Sequence, residues 1–129
     1  MKVPELLDLI APWPTGSPGR PDWLAQAQQA RDTWRLLGAQ LAELEGGSPF
    51  VRAVGEALLS RPRVDERGGG FAWNRYMMIA TRPAVVQELE RALRTAPVAP
   101  GELAGLARSS DDWWAALGRL ALSLRGVAA

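Results

Sequence analysis

The sequence predicts an all-α protein, a compact single-domain bundle of five to seven helices with one long central helix. Between Pro21 and Glu45, apolar residues recur at alternating steps of four and three, which places them on one stripe of a helix. This stripe consists of Trp23, Ala27, Ala30, Trp34, Leu37, Leu41 and Leu44. The segment 110–125 repeats the pattern, and no stretch alternates as a half-buried strand would.

The N-terminal region, residues 1–20, is predicted to be a short helix followed by a proline-rich loop. Pro4–Ile10 has a proline in its first turn, where the missing N–H costs nothing. Trp13 lies between two prolines and is interpreted as an anchor that holds this loop on the core. The alternative is an exposed recognition residue. The central helix, 21–45, is predicted to end at Gly46 and Gly47.

Five further helices are predicted after the central helix, with one flexible loop among them. Ser48 caps a helix that runs to about Ser60, and 61–70 is a flexible polar loop ending in three glycines. Residues 71–80 are predicted as a helix, with a strand as the alternative. Thr81–Pro83 is predicted to interrupt the chain before another helix, Pro83–Arg94. A short helix at Gly101–Ala107 precedes a C-terminal helix within 110–125, which either Ser109 or Ser110 caps.

The composition argues against common kinds of catalysis. The 129 residues contain no cysteine and no histidine, so disulfides, thiolates and the commonest general base and metal ligand are all excluded. Only Lys2 could serve as a catalytic lysine, and it lies at the chain terminus. The 14 carboxylates are scattered. We therefore expect a protein that is not an enzyme and holds no metal and no cofactor.

The net charge of the chain is ordinary, but its basic residues are almost all arginine. The formal net charge is +1, yet fourteen of the fifteen basic residues are arginine. The codon usage of a GC-rich bacterial genome explains this preference, although arginine also suits bidentate binding of carboxylate or phosphate. No signal peptide and no membrane-spanning stretch is recognisable, so a cytoplasmic protein is expected.

The segment Arg61–Arg82 is the main candidate for function, because arginines alternate there with aromatic residues beside three glycines. Six tryptophans in so short a chain suggest in addition that some lie at an interface. The candidate partner-binding residues are Arg61, Arg63, Arg67, Trp73, Arg75, Tyr76, Arg82 and Trp114.

Three functions fit this segment. The first is a non-catalytic protein-interaction subunit of a larger complex, or a self-associating protein. The second is a small helical subunit that binds single-stranded RNA or DNA, with arginines on phosphates and bases stacked on rings. The third is a small-ligand carrier or an enzyme that uses neither histidine nor cysteine. The structural alternative is that the tryptophans simply fill the core.

Overall fold

The computed structural model describes residues 1–62 and 71–127, and for residues 71–74 it describes the backbone alone. The described part contains six helices and no strand, which confirms the all-α bundle. In chain order they are α1 (Val3–Ile10), α2 (Trp23–Ala42), α3 (Pro49–Leu58), α4 (Phe71–Thr95), α5 (Glu102–Ala107) and α6 (Asp112–Leu124). Residues 63–70, which make up most of the predicted flexible loop, lie outside the described residues.

Helix α2 buries most of the predicted apolar stripe. Five of its seven residues are buried, and Trp34 is completely so. Leu37 is only partly buried, and Leu44 is 48% exposed. The prediction was wrong for Leu44 because the helix ends at Ala42, three residues earlier than expected, so that the stripe does not continue to this residue.

Helices α2 and α3 touch backbone to backbone. A Cβ atom added at Gly55 would lie 2.5 Å from the nitrogen of Ala42 and 2.7 Å from the carbonyl oxygen of Gly38. A side chain at either glycine would therefore push the helices apart. Between the two helices the chain turns through Gly46, whose φ of 75° suits glycine.

Helix α4 is continuous through Pro83, so the predicted interruption at Thr81–Pro83 was wrong. The proline ring is exposed, and the carbonyl of Ile79, which loses its helical N–H partner there, lies on the same side. Packing of the opposite face holds the helix together across this point. That face comprises Met78, Thr81, Val85, Leu89 and Ala92, all buried at steps of three or four residues.

The ends of α4 and α6 cap each other. Arg125 donates from Nε to the carbonyl of Leu93 and from Nη2 to that of Ala96, both at 2.7 Å. Arg94 donates in return to the carbonyl of Leu124 at 3.1 Å. Because the last carbonyls of a helix lack backbone partners and carry negative partial charge, arginines suit both positions.

At its other end, α6 is capped by Asp111 rather than by the serines expected from the sequence. The Asp111 carboxylate accepts from the backbone N–H groups of Trp113 and Trp114, at 2.9 and 3.2 Å. An ionised carboxylate satisfies two unpaired N–H groups at once and also complements the positive end of the helix.

Two tryptophans hold α1 in the bundle. The indole N–H of Trp34 donates to the carbonyl of Leu7, and that of Trp113 donates to the carbonyl of Leu6. Both leucines are fully buried. Trp13 stacks on Trp34 with ring centroids 5.5 Å apart, so the proline-rich loop is anchored on the core as the anchor interpretation predicts.

Candidate interaction surface

The N-terminal half of α4 exposes two large apolar side chains. Tyr76 is 51% exposed and Ile79 is 44% exposed, and three residues apart they lie on one face of the helix. Pro83, also exposed, continues this face by one turn. Singly exposed apolar residues are ordinary on protein surfaces, but two adjacent ones on one helix form a continuous patch. We call Tyr76, Ile79 and Pro83 the apolar α4 face.

The opposite side of this half-helix is held by a small apolar cluster. Met78 packs with Trp23 and Ala27 of α2 in a small cluster that meets the main core at Trp13. Trp13 and Leu24 are partly buried against it. Thr81 is also buried, and its hydroxyl donates to the carbonyl of Met77 at 2.7 Å. The apolar α4 face is therefore presented on a helix that is fixed from behind.

Arg82, one of the predicted partner-binding residues, is paired within the molecule. Its Nη2 donates to the carboxylate of Asp8 at 2.9 Å, and the other oxygen of Asp8 accepts the backbone N–H of Trp13. Asp8 thus links α1, the proline-rich loop and α4. The Nε of Arg82 is buried and has no hydrogen-bond partner among the described residues. This arginine fastens α4 to α1 in the structure.

The other predicted site residues are distributed as follows. Arg75 is partly buried beside Tyr76, and Arg61 is exposed where the chain leaves α3. Trp114, on α6, is partly buried with its ring 5.0 Å from that of Trp113 in an edge-to-face arrangement. Arg63 and Arg67 lie outside the described residues, and the side chain of Trp73 is not described.

The tryptophans serve the core more than the surface. Trp23 and Trp34 are 3% and 0% exposed, and Trp13, Trp113 and Trp114 are partly buried. The five tryptophans whose side chains are described therefore agree with the interpretation that tryptophan fills a core poor in phenylalanine. The tyrosine and the isoleucine of α4 are more exposed than any of them.

Sequence reasoning did not single out a group of arginines near the end of α3. Arg31 and Arg35 lie on α2 at a spacing of four residues, which puts them on the same edge of the helix. Arg91 of α4 lines a cleft together with Arg61. The spacing of Arg31 and Arg35 is visible in the sequence. The approach of Arg61 and Arg91 depends on how α3 packs against α4, which no sequence pattern reveals.

Comparisons with known proteins add no assignment: no family model, no curated protein and no solved structure matches this chain. Within the described ranges, no three or more carboxylates lie together where they could hold a metal ion. Nor does any helix in that part of the chain have the length and apolar character needed to cross a membrane.

Proposed function

We propose that this chain is a non-catalytic helical subunit that presents the apolar α4 face to another protein. The observation that carries the proposal is the exposure of Tyr76 and Ile79 on a helix whose opposite side is firmly packed. A rigid apolar helix face is a common element of protein interfaces, because little conformational entropy is lost when it binds. Aromatic side chains are, in addition, enriched among the residues that dominate binding energy.

Polar groups around this face fit the edge of such an interface. Arg75 precedes Tyr76 directly, and Arg82 lies one turn beyond Ile79 with its guanidinium oriented by Asp8. Interfaces typically have an apolar centre and a polar edge, and arginine is enriched in them. The residues proposed for the centre are Tyr76 and Ile79. Of the two tryptophans predicted at the site, Trp114 is partly buried on α6, and the side chain of Trp73 lies outside the described residues.

The test is affinity capture from the native cell, with partners identified by mass and with nuclease-treated and untreated samples compared. The informative variant is Ile79→Arg. Leu36→Arg is the matched control, because Leu36 is an apolar residue 65% exposed on α2. Thermal unfolding of both variants is measured first, to establish that each is folded.

We expect proteins that survive nuclease treatment and bind the Leu36→Arg variant as well as the original chain, but are lost from Ile79→Arg. Equal capture by both variants would contradict a role for the apolar α4 face. Binding that disappears with nuclease would favour the alternative, a subunit that binds single-stranded nucleic acid. In that case affinity should fall steeply with salt, because phosphate contacts release counterions.

A further inference from the structure

Arg61, which follows α3, lies near arginines of both α2 and α4. Arg61 and Arg91 line a cleft of about 430 Å³ between the residues after α3 and the middle of α4. The other described residues that line it are Pro62, Pro83, Ala84, Gln87 and Glu88. On the α2 side, burial and the nearby positive charges of Arg31 and Arg61 lower the pKa of Arg35 below its ordinary value. Arg61 therefore lines the cleft and also lies near Arg31 and Arg35 of α2.

The carboxylates near these arginines do not balance their charge. Asp32 pairs with Arg31 at 3.3 Å, and Glu88 pairs with Arg91 at 3.7 Å. Among the described residues, no carboxylate lies within ion-pair distance of Arg35 or Arg61. Glu56 also lies beside Arg91 and Glu88, in an adjoining cleft, so Arg35 and Arg61 are the two arginines of this group that have no carboxylate partner among the described residues.

Guanidinium groups cannot relieve such repulsion by losing a proton, since their pKa lies far above neutral pH. An anion bound between them would reduce the repulsion. We propose that the cleft lined by Arg61, Gln87 and Arg91 binds a phosphate group, with Arg35 supporting it from the α2 side. A phosphate monoester is an anion near neutral pH, and its oxygens fit the planar donors of arginine.

Glu88 is the one carboxylate among the described residues that line the cleft, and its pairing with Arg91 is weak. The separation of 3.7 Å is long, and the two side chains are 41% and 74% exposed. Exposed ion pairs of this kind contribute little to stability, so that Arg91 can turn from Glu88 to a bound anion at small cost. The prolines at 62 and 83 restrict the backbone on both sides of the cleft.

The test is calorimetric titration of the full chain with inorganic pyrophosphate, with succinate and with a short single-stranded oligonucleotide. The variant is Arg61→Gln, whose side chain is exposed in the structure. Arg119→Gln is the control, because Arg119 is an exposed arginine on α6 outside the cleft. Pro83 borders both the cleft and the apolar α4 face, but neither substitution changes Tyr76 or Ile79, so failure of this proposal and failure of the proposed function are distinguishable.

We expect pyrophosphate or the oligonucleotide to bind, and Arg61→Gln to weaken that binding about tenfold, the effect of losing a charge-assisted contact. Arg119→Gln should bind as the original chain does. If the oligonucleotide binds more tightly and with a steep salt dependence, the phosphate belongs to a nucleic acid; if pyrophosphate binds more tightly, it belongs to a small ligand. Equal binding of succinate, equal weakening by both variants, or no binding at millimolar concentrations would overturn the proposal.

Discussion

The two halves of α4 form one continuous helix but have different surroundings. From Pro83 to Thr95 the helix lies in the main core, where Val85, Leu89 and Leu93 are at most 1% exposed. From Phe71 to Arg82 the described contacts include a smaller cluster at Met78 and the ion pair with Asp8. Only in this first half does α4 leave large apolar side chains 44% or more exposed.

This difference distinguishes residues that stabilise the fold by burial from residues whose side chains are exposed and accessible to a partner. In the C-terminal half the large apolar side chains that face the core are buried, and Arg125 caps the last carbonyls. In the N-terminal half, Tyr76 and Ile79 contribute less burial and therefore less to the free energy of unfolding. Our proposal assigns their exposure to binding, and mutations can test this difference directly.

The largest effect is expected in the C-terminal half, for Leu89→Ala. Leu89 is 0% exposed within the main core, so the substitution removes buried apolar surface and leaves a cavity. The free energy of unfolding should fall by about 2–5 kcal/mol, measured by urea denaturation. Met78→Ala, in the smaller cluster, should lose less. An equal or greater loss for Met78 would show that the two halves are anchored alike.

The next effect concerns the end of the same half. Arg125→Met keeps much of the apolar stem but removes the two hydrogen bonds to the carbonyls of Leu93 and Ala96. Because these bonds carry charge and are partly buried, we expect a loss of about 2 kcal/mol in the free energy of unfolding. Arg119→Met, at an exposed position on α6, is the control and should change stability by less than about 0.5 kcal/mol. Similar losses for both would mean that this capping contributes nothing specific.

The sequence was sufficient to predict those features that depend on local pattern. The stripe on α2 follows from the periodicity of Trp23, Ala27, Ala30, Trp34 and Leu41, all of which are buried. The start of α3 follows from Ser48, whose hydroxyl accepts the backbone N–H of Val51. These features require only that a helix bury its apolar side and cap its first turn.

The sequence could not predict those features that depend on packing between distant segments. Pro83 indicated a break because a proline removes one helical hydrogen bond, but burial of Thr81 and Val85 on either side keeps the helix intact. The sequence predicted Arg82 as a partner-binding residue. Its ion pair with Asp8, 74 residues away, instead fastens α4 to α1. For the candidate site, Tyr76 was predicted, but its exposure could not be distinguished from burial by spacing alone.

A smaller effect, of opposite sign, is expected at the junction of the two halves. Pro83→Ala supplies an N–H for the carbonyl of Ile79 and places a better helix former at an exposed position. Part of this gain is offset because alanine gives the unfolded chain more freedom than proline. The net expectation is a rise of about 1 kcal/mol in the free energy of unfolding, measured by thermal and urea denaturation. A loss of stability would show that the proline fixes a backbone geometry on which the two halves depend.

The smallest effect is expected on the apolar α4 face itself, for Ile79→Ala. Ile79 is 44% exposed, so little burial is lost, and alanine has the higher helix propensity. The free energy of unfolding should change by less than about 1 kcal/mol in urea denaturation, while capture of a protein partner is reduced. Leu36→Ala, at a position 65% exposed on α2, should change neither property. A loss near that of Leu89→Ala would mean that Ile79 is a core residue, and the contrast between the two halves of α4 would then no longer support an interface there.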